Sequence, residues 1–248
     1  MRAAKLGRIL FAAGIGGIGV VNLVCADFAL QWQPVPFWVP AHEVLAVISG
    51  ILLIACGIGL LLPRRARLAA IVTAAYVLSW VVLLQIPQVA ADPATVVVWL
   101  PLCEDVALMC GAVLFLSLRE GVTRAVRIGR FVFGLCCVVF GLSHFVYPAF
   151  TAATMPAWLP EREILAYATG GVSIAAGAGI MLAILPRPAA TAQAVMMSIL
   201  VVLVNAAGVA ETPDRSQWTL LVVALALTGV AWLVAATFGT QGEAEAAS

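Results

Sequence analysis

The stretch GRILFAAGIGGIGVVNLVCADF, residues 7–28, decides how the chain folds. It has a basic residue, Arg8, at its second position and continues with about 20 mostly apolar residues, the length that a helix needs to cross ~30 Å of hydrocarbon. A second stretch, GRFVFGLCCVVFGLSHFVYPAF at residues 129–150, has the same start, the same length and the same final phenylalanine. The first stretch therefore predicts a membrane-spanning helix, and its second copy predicts an internal repeat.

The composition of the whole chain is typical of a membrane protein. Hydrophobic residues make up 64% of the chain and charged residues 10%, whereas soluble domains carry roughly 25% charged residues. Only helices and closed barrels span a bilayer, and the apolar runs lack the alternation of barrel strands. We therefore predict an all-α membrane protein with eight transmembrane helices in the lipid bilayer. The predicted spans cover residues 9–29, 42–62, 68–87, 96–118, 131–149, 163–185, 189–209 and 217–238.

The repeat extends beyond the first span. The stretch VPFWVPAHEVLAVISG at residues 35–50 aligns with MPAWLPEREILAYATG at residues 155–170, and Trp99 aligns with Trp218. Each half then holds four spans. Because four is an even number, both halves have the same orientation and are related by an axis along the membrane normal.

These observations predict the domain organisation. We expect two parallel-repeat four-helix bundles, the first in residues 1–120 and the second in residues 121–240. The small, polar residues 241–248 predict a disordered cytoplasmic tail.

The basic residues predict the orientation. Most of the 13 Lys and Arg residues lie on one side of the predicted spans, and only Arg162 and Arg215 lie on the other. Because positive residues stay in the cytoplasm, we expect a multi-pass protein of the bacterial inner membrane with both termini cytoplasmic. The arginines thus predict topology. The sequence contains no basic face that would indicate nucleic-acid binding. The residues on the cytoplasmic side are Arg2, Lys5, Arg8, Arg64, Arg65, Arg67, Arg119, Arg124, Arg127, Arg130 and Arg187.

A proline-framed corner follows the first span of each half, on the predicted outer side. Its tryptophan suits the headgroup region as an interfacial anchor, and its last proline suits the first position of the next helix. A glutamate three residues later suits the positive end of that helix. The corner is either a rigid cap that turns the chain or a lid over an outward-facing pocket. Its residues are Pro36, Trp38, Pro40 and Glu43, and in the second copy Pro156, Trp158, Pro160 and Glu163.

Each half resembles a DoxX-type membrane unit. The resemblance rests on the starts GRIL and GRFV, the end GLSHF of the fifth span, the proline-rich outer loops and the glycine-bearing second span of each half. It implies four spans in each half and a role in membrane redox chemistry, including quinone-linked sulfur oxidation. A quinone would then be the cofactor, and a membrane redox protein would be a partner. The family often has a glutamate three residues after the glycine of the second span, whereas this chain has Leu53 and Ser173 there.

Three ionisable residues inside the apolar runs are candidate functional residues. Glu104 and Asp105 lie about 7.5 Å deeper than Trp99 along their helix, and His144 lies at a similar depth. Charged residues within a membrane cost about 2.5–3.5 kcal/mol each, so they often carry function. Glu104 and His144 would then meet between the halves and relay protons. The alternative is a structural role, with one inward-facing carboxylate, one interfacial carboxylate and a capped histidine.

The remaining polar residues predict structure rather than chemistry. Gln85 and Asn205 lie at matching positions near the outer ends of the third spans, where amides usually bond across helices. The six cysteines contain no Cys-x-x-Cys motif, so we expect buried free thiols, although Cys25 and Cys103 would both lie near the outer surface. No set of residues has the spacing of a metal site, so we expect no metal.

Three hypotheses about function follow. The first is a DoxX-like component of a quinone-linked membrane redox system. The second is a small-solute or proton-coupled transporter, which needs a polar path that continues inward. The third is a non-catalytic assembly subunit of the membrane. The sequence leaves open whether the protein is an enzyme.

Overall fold

The computed structural model describes residues 2–120 and 123–245, and within these ranges the chain forms helices and no strands. A 3₁₀ turn covers Leu30–Trp32, and π-helical segments cover Val81–Gln85 and Val201–Ala206. The α-helices are α1 (Arg2–Cys25), α2 (His42–Leu61), α3 (Ala66–Trp80), α4 (Ile86–Ala91), α5 (Val96–Glu120), α6 (Thr123–Val146), α7 (Pro148–Ala153), α8 (Arg162–Met181), α9 (Pro186–Leu200), α10 (Ala207–Glu211) and α11 (Arg215–Glu245).

Eight helices in the described part of the chain are long and apolar enough to cross a membrane. Two of them are composite, because a π-helical segment joins α3 to α4 and another joins α9 to α10. The resulting helices cover Ala66–Ala91 and Pro186–Glu211, with 26 residues each. The prediction of eight apolar helices of membrane-spanning length is confirmed.

Glycines allow the first two long helices of each half to pack closely. A Cβ atom on Gly19 of α1 would lie 2.5 Å from the carbonyl oxygen of Gly50 in α2. A Cβ atom on Gly141 of α6 would likewise lie 2.5 Å from the carbonyl oxygen of Gly170 in α8. No side chain fits at either position, so the backbones of each antiparallel pair lie against one another.

The two groups of four long helices share their interfaces rather than forming two separate bundles. Helix α1 packs along α2 and also along α11, while α6 packs along α8 and also along α5. The first helix of each half therefore packs against the last helix of the other half, and α5 contacts α11 between them. Glycine again permits the approach, since a Cβ atom on Gly14 would collide with Ala226.

Exposed tryptophans lie in the loops after α1 and α7 and in the first turns of α5 and α11, and we call this the tryptophan end of the molecule. The opposite end, at the starts of α1, α3, α6 and α9, is the arginine end. Its described residues include Arg64 and Arg124, both exposed. The tryptophans are Trp38, Trp99, Trp158 and Trp218.

The corners at the tryptophan end differ from the sequence-based expectation in one respect. Helix α2 begins at His42 and α8 begins at Arg162, so neither Pro40 nor Pro160 occupies the first helical position. The prediction for these prolines is wrong because a left-handed residue, with φ of 56° at position 41 and 47° at position 161, separates each proline from its helix. The glutamates, at positions 43 and 163, do lie in the first turns.

Helix α11 continues to Glu245. It therefore extends into residues 241–245, where the sequence predicts a disordered tail. Residues 246–248 of that predicted tail lie outside the described residues.

Candidate functional site

The loop after α1 folds back into the core of the first half. Its 3₁₀ turn and Gln33 form a segment, residues 30–33, that we call the plug. The Gln33 side chain is 2% exposed. Its Oε1 accepts a hydrogen bond from Asn22 Nδ2 at 2.6 Å, and its Nε2 donates to Ser49 Oγ at 3.1 Å. The plug thus joins polar groups of α1 and α2 that would otherwise be buried without a partner.

The two acidic candidates of α5 point to different partners around the plug. Asp105 is fully buried, and its Oδ2 accepts a hydrogen bond from Gln85 Nε2 at 2.9 Å. The same amide nitrogen donates to the Gln31 carbonyl oxygen at 2.9 Å. Glu104 instead accepts a hydrogen bond from Trp32 Nε1 at 2.7 Å. Asp105 therefore faces the core of the first half, while Glu104 faces the second half.

A cavity of about 550 Å³ lies mainly in the second half, where α6, α8, α9 and α11 meet α5 of the first half, and Leu30, Gln31 and Trp32 of the plug form part of its wall. Most of its wall is apolar, and a few polar groups interrupt it. Its lining includes Asn205 and Gln193, which are 12 positions apart, so the cavity extends roughly 18 Å inward from the tryptophan end. The polar side chains on its wall include Glu104, His144, Thr169, Ser173, Gln193 and Asn205.

Glu104 and His144 line the same cavity but have separate hydrogen-bond partners. His144 Nδ1 lies 3.0 Å from Thr169 Oγ1 and 3.2 Å from the Ala166 carbonyl oxygen, whereas Glu104 is bonded to Trp32. No hydrogen bond or ion pair joins Glu104 to His144 in the described part of the chain. The predicted histidine–carboxylate contact is not formed, and each group bonds to a different neighbour instead, Glu104 to Trp32 and His144 to Thr169.

Two amides on the cavity wall lack partners. Gln193 is 1% exposed, and its Oε1 has no hydrogen bond to any described residue. Asn205 also lines the cavity, and its side chain makes no hydrogen bond to the described residues. Its aligned residue Gln85 differs, because it bonds to Asp105 and to the plug. A buried unpaired amide is costly, so Gln193 favours a polar occupant of the cavity, and the half-buried Asn205 offers such an occupant a second amide.

An ion-pair cluster at the tryptophan end ties the first half to α11. Asp27 Oδ1 lies 2.8 Å from His42 Nε2, and its Oδ2 lies 2.8 Å from an Arg215 nitrogen. The same arginine donates a hydrogen bond to the Phe28 carbonyl oxygen. Burial alone would raise the pKa of Asp27, but hydrogen bonds from His42 and the Phe28 amide and the charge of Arg215 together lower it. Nothing in the sequence indicates these partners of His42.

The six cysteines are free. Cys25 is exposed and Cys103 is buried, so the two do not form a pair. Cys103 and Cys136 are both buried, in α5 and α6, which pack against each other. Within the described residues, no group of three or more His, Cys, Asp or Glu side chains is arranged to hold a metal ion.

Several residues of the site are not predicted from the sequence. Trp32 and Gln33 belong to a loop in the sequence, and nothing in their spacing shows that they turn inward. Ser49 and Thr169 carry a weak signal, because each precedes the packing glycine of its helix. Gln193 carries a clearer signal that we did not use, because it is an amide inside an apolar run.

The comparisons with known proteins add one match. The sequence profile of a family described as a domain of unknown function (DUF8561) matches residues 133–237. The matched region contains His144, Ser173, Gln193 and Asn205, which all line the cavity. No curated protein and no solved structure matches the chain at a significant level.

Proposed function

We propose that the protein is a multi-pass protein of the bacterial inner membrane, with two four-span repeats of the same orientation and both termini in the cytoplasm. Helices α2 and α8 begin at residues 42 and 162, and α3 and α9 begin at residues 66 and 186, so both pairs are offset by 120 residues. A π-helical segment interrupts the third long helix of each half at a matching place. These correspondences and the positive residues of the arginine end support the proposal.

The function that the geometry supports best is the binding of a small lipophilic molecule that carries a polar head group. The cavity in the second half is the observation behind this conclusion. Ligand sites have volumes of about 300–1,000 Å³ and mostly apolar walls with a few placed polar groups, and this cavity of about 550 Å³ has those properties.

Quinones are the ligand class that fits the DoxX-like resemblance. A quinone has a planar ring with two carbonyl oxygens and an apolar tail, and the cavity offers amide, hydroxyl and imidazole groups beside apolar walls. Asn205, Thr169 and His144 would hold the ring, and the bound quinone would supply two-electron redox chemistry. The protein would then be a component of a quinone-linked membrane redox system with a partner that exchanges electrons with it.

The test is a binding titration with a decyl-substituted benzoquinone on the purified full-length protein, together with extraction and chromatography of any bound quinone. Ser173→Leu places in the cavity the residue that the first half has at the aligned position. We expect it to weaken binding at least about tenfold. Gly171→Leu is the matched control on the same helix, because a Cβ atom there meets nothing within 4 Å. A protein that yields no extracted quinone and gives no saturable titration would contradict the proposal.

Transport of a small solute is a second candidate, and the depth of the cavity favours it. Gln193, Ser173 and Thr228 line its inner part, so a polar path reaches well below the tryptophan end. The test is proton flux into proteoliposomes. Flux that Glu104→Gln reduces would support proton coupling, whereas the same low leak with and without the protein would exclude it.

A further inference from the structure

The plug of the first half occupies the place that corresponds to the cavity of the second half. In the sequence alignment, Asn22 corresponds to His144 and Ser49 corresponds to Thr169. Both pairs are hydrogen-bonded in the structure, at 3.2 Å for Asn22 and Ser49 and at 3.0 Å for His144 and Thr169. The aligned residues of the two halves therefore form equivalent hydrogen-bonded pairs in the structure.

The corresponding amides are used differently in the two halves. Gln85 donates hydrogen bonds to the backbone carbonyl oxygens of Gln31 and Trp32 in the plug. Its counterpart Asn205 faces the cavity, and its side chain has no hydrogen bond to any other residue that the structure describes. In the first half, the chain itself thus provides the carbonyl groups that bind the amide at this position.

Loop length explains why only one half is plugged. Between the aligned phenylalanine and the first proline of the corner, the first half has seven residues, 29–35, and the second half has five, 151–155. The longer loop turns inward through Leu30, a left-handed residue with φ of 45°. The shorter loop continues from α7, and its residues lie at the rim of the cavity.

We infer that the ligand of the cavity imitates the plug: a planar aromatic ring with carbonyl or amide groups, held at the tryptophan end by Asn205, Thr169 and His144. Asn205 donates to a carbonyl oxygen of the ligand, as Gln85 donates to those of the plug. The His144–Thr169 pair binds a second polar group, as the Asn22–Ser49 pair binds the amide of Gln33. This inference rests on the proposed function in one respect, namely that the cavity is a ligand site.

Gln193 defines the alternative position for a polar head group. It lies deeper than the plug reaches, and its aligned residue Thr73 bonds to the Ala69 carbonyl oxygen of its own helix at 2.8 Å. Thr73 is thus satisfied within its own helix, and no contact in the first half corresponds to a ligand contact with Gln193. A head group bound at Gln193 would place the ligand the other way round in the cavity.

The experiment uses N-acetyl-tryptophanamide, which carries an indole ring and two amide groups, and measures its binding to the full-length protein by calorimetry. We expect saturable binding to the unaltered protein and to Gly171→Leu. Asn205→Ala and Thr169→Ala should each weaken binding about tenfold, whereas Gln193→Leu should change it less than about threefold. Asn205 has no hydrogen-bond partner among the described residues, so its variant tests binding without removing a contact of the fold.

The outcomes separate this inference from the proposed function. Binding that Gln193→Leu abolishes and that Asn205→Ala and Thr169→Ala leave unchanged would overturn the placement of the head group. A protein that binds the decyl benzoquinone but not N-acetyl-tryptophanamide would overturn the inference and leave the proposed function standing. The reverse pattern would remove the quinone proposal and support a ligand that resembles the plug.

Discussion

The core of the first half and the cavity of the second half are built from corresponding helices, yet only one is filled. In the first half, Asn22, Ser49 and Gln85 all bond to the plug. In the second half, the corresponding residues face a cavity of about 550 Å³. The same arrangement of helices therefore leaves a polar space that either a loop of the chain or a ligand can occupy. A difference of two residues in loop length determines which of the two occupies it.

Both regions require that the two halves pack against each other. A variant at the interface between α1 and α11 should therefore have the largest effect on stability. Gly14→Leu would drive a side chain into Ala226. Overpacking of this kind costs about 3 kcal/mol, and we expect loss of folded protein in thermal unfolding followed by size-exclusion chromatography. Gly171→Leu is the control and should unfold like the unaltered protein. Equal stability of the two variants would mean that the halves do not depend on this interface.

A loop graft tests whether the longer loop of the first half can fill the cavity of the second half. Replacing residues 151–155 by the sequence of residues 29–35 should place a second plug in the cavity. Because the chain then occupies the site permanently, we expect binding of the decyl benzoquinone and of N-acetyl-tryptophanamide to fall at least about 100-fold. The control graft uses the same seven residues with alanine at the positions of Trp32 and Gln33, and it should retain binding. Full binding by the first graft would show that loop length does not control the cavity.

Two glutamine variants should change stability in opposite directions. Gln33→Ala removes the partner of Asn22 and Ser49 and leaves buried polar groups unpaired, which costs about 2 kcal/mol. Gln193→Leu replaces a buried amide that has no protein partner, so we expect no loss and about 1 kcal/mol of gain. Unfolding midpoints of the protein without added ligand measure both effects. If Gln193→Leu destabilised as much as Gln33→Ala, the two regions would not differ in the way described.

The smallest expected effect concerns the cluster at the tryptophan end. The pKa of Asp27 is lowered in the folded protein, below the unfolded value of about 3.9. Its stabilising contribution is therefore complete above that value and is lost as the pH falls through the folded pKa. Asp27→Asn should cost about 1 kcal/mol at neutral pH and should flatten the acid dependence of unfolding. Asp92→Asn, at an exposed residue of the same end, should leave the acid dependence unchanged.

The sequence predicted the long helices because hydrophobic length is a property of each segment alone. It also selected Glu104 and His144, since ionisable residues in apolar runs are conspicuous, and the structure places both on one cavity wall. It did not predict the plug, because the inward turn at Leu30 depends on the hydrogen bonds that Gln33 finds in the core. The cavity is the packing result of five helices, and no single segment encodes it.

A high-resolution structure of the protein purified from its own membrane tests the central claim most directly. We expect planar density in the cavity of the second half, within hydrogen-bond distance of Asn205 and Thr169, while the plug fills the first half. A cavity that is closed by its own side chains, or a plug that lies outside the core with Asn22 and Ser49 unpaired, would contradict it.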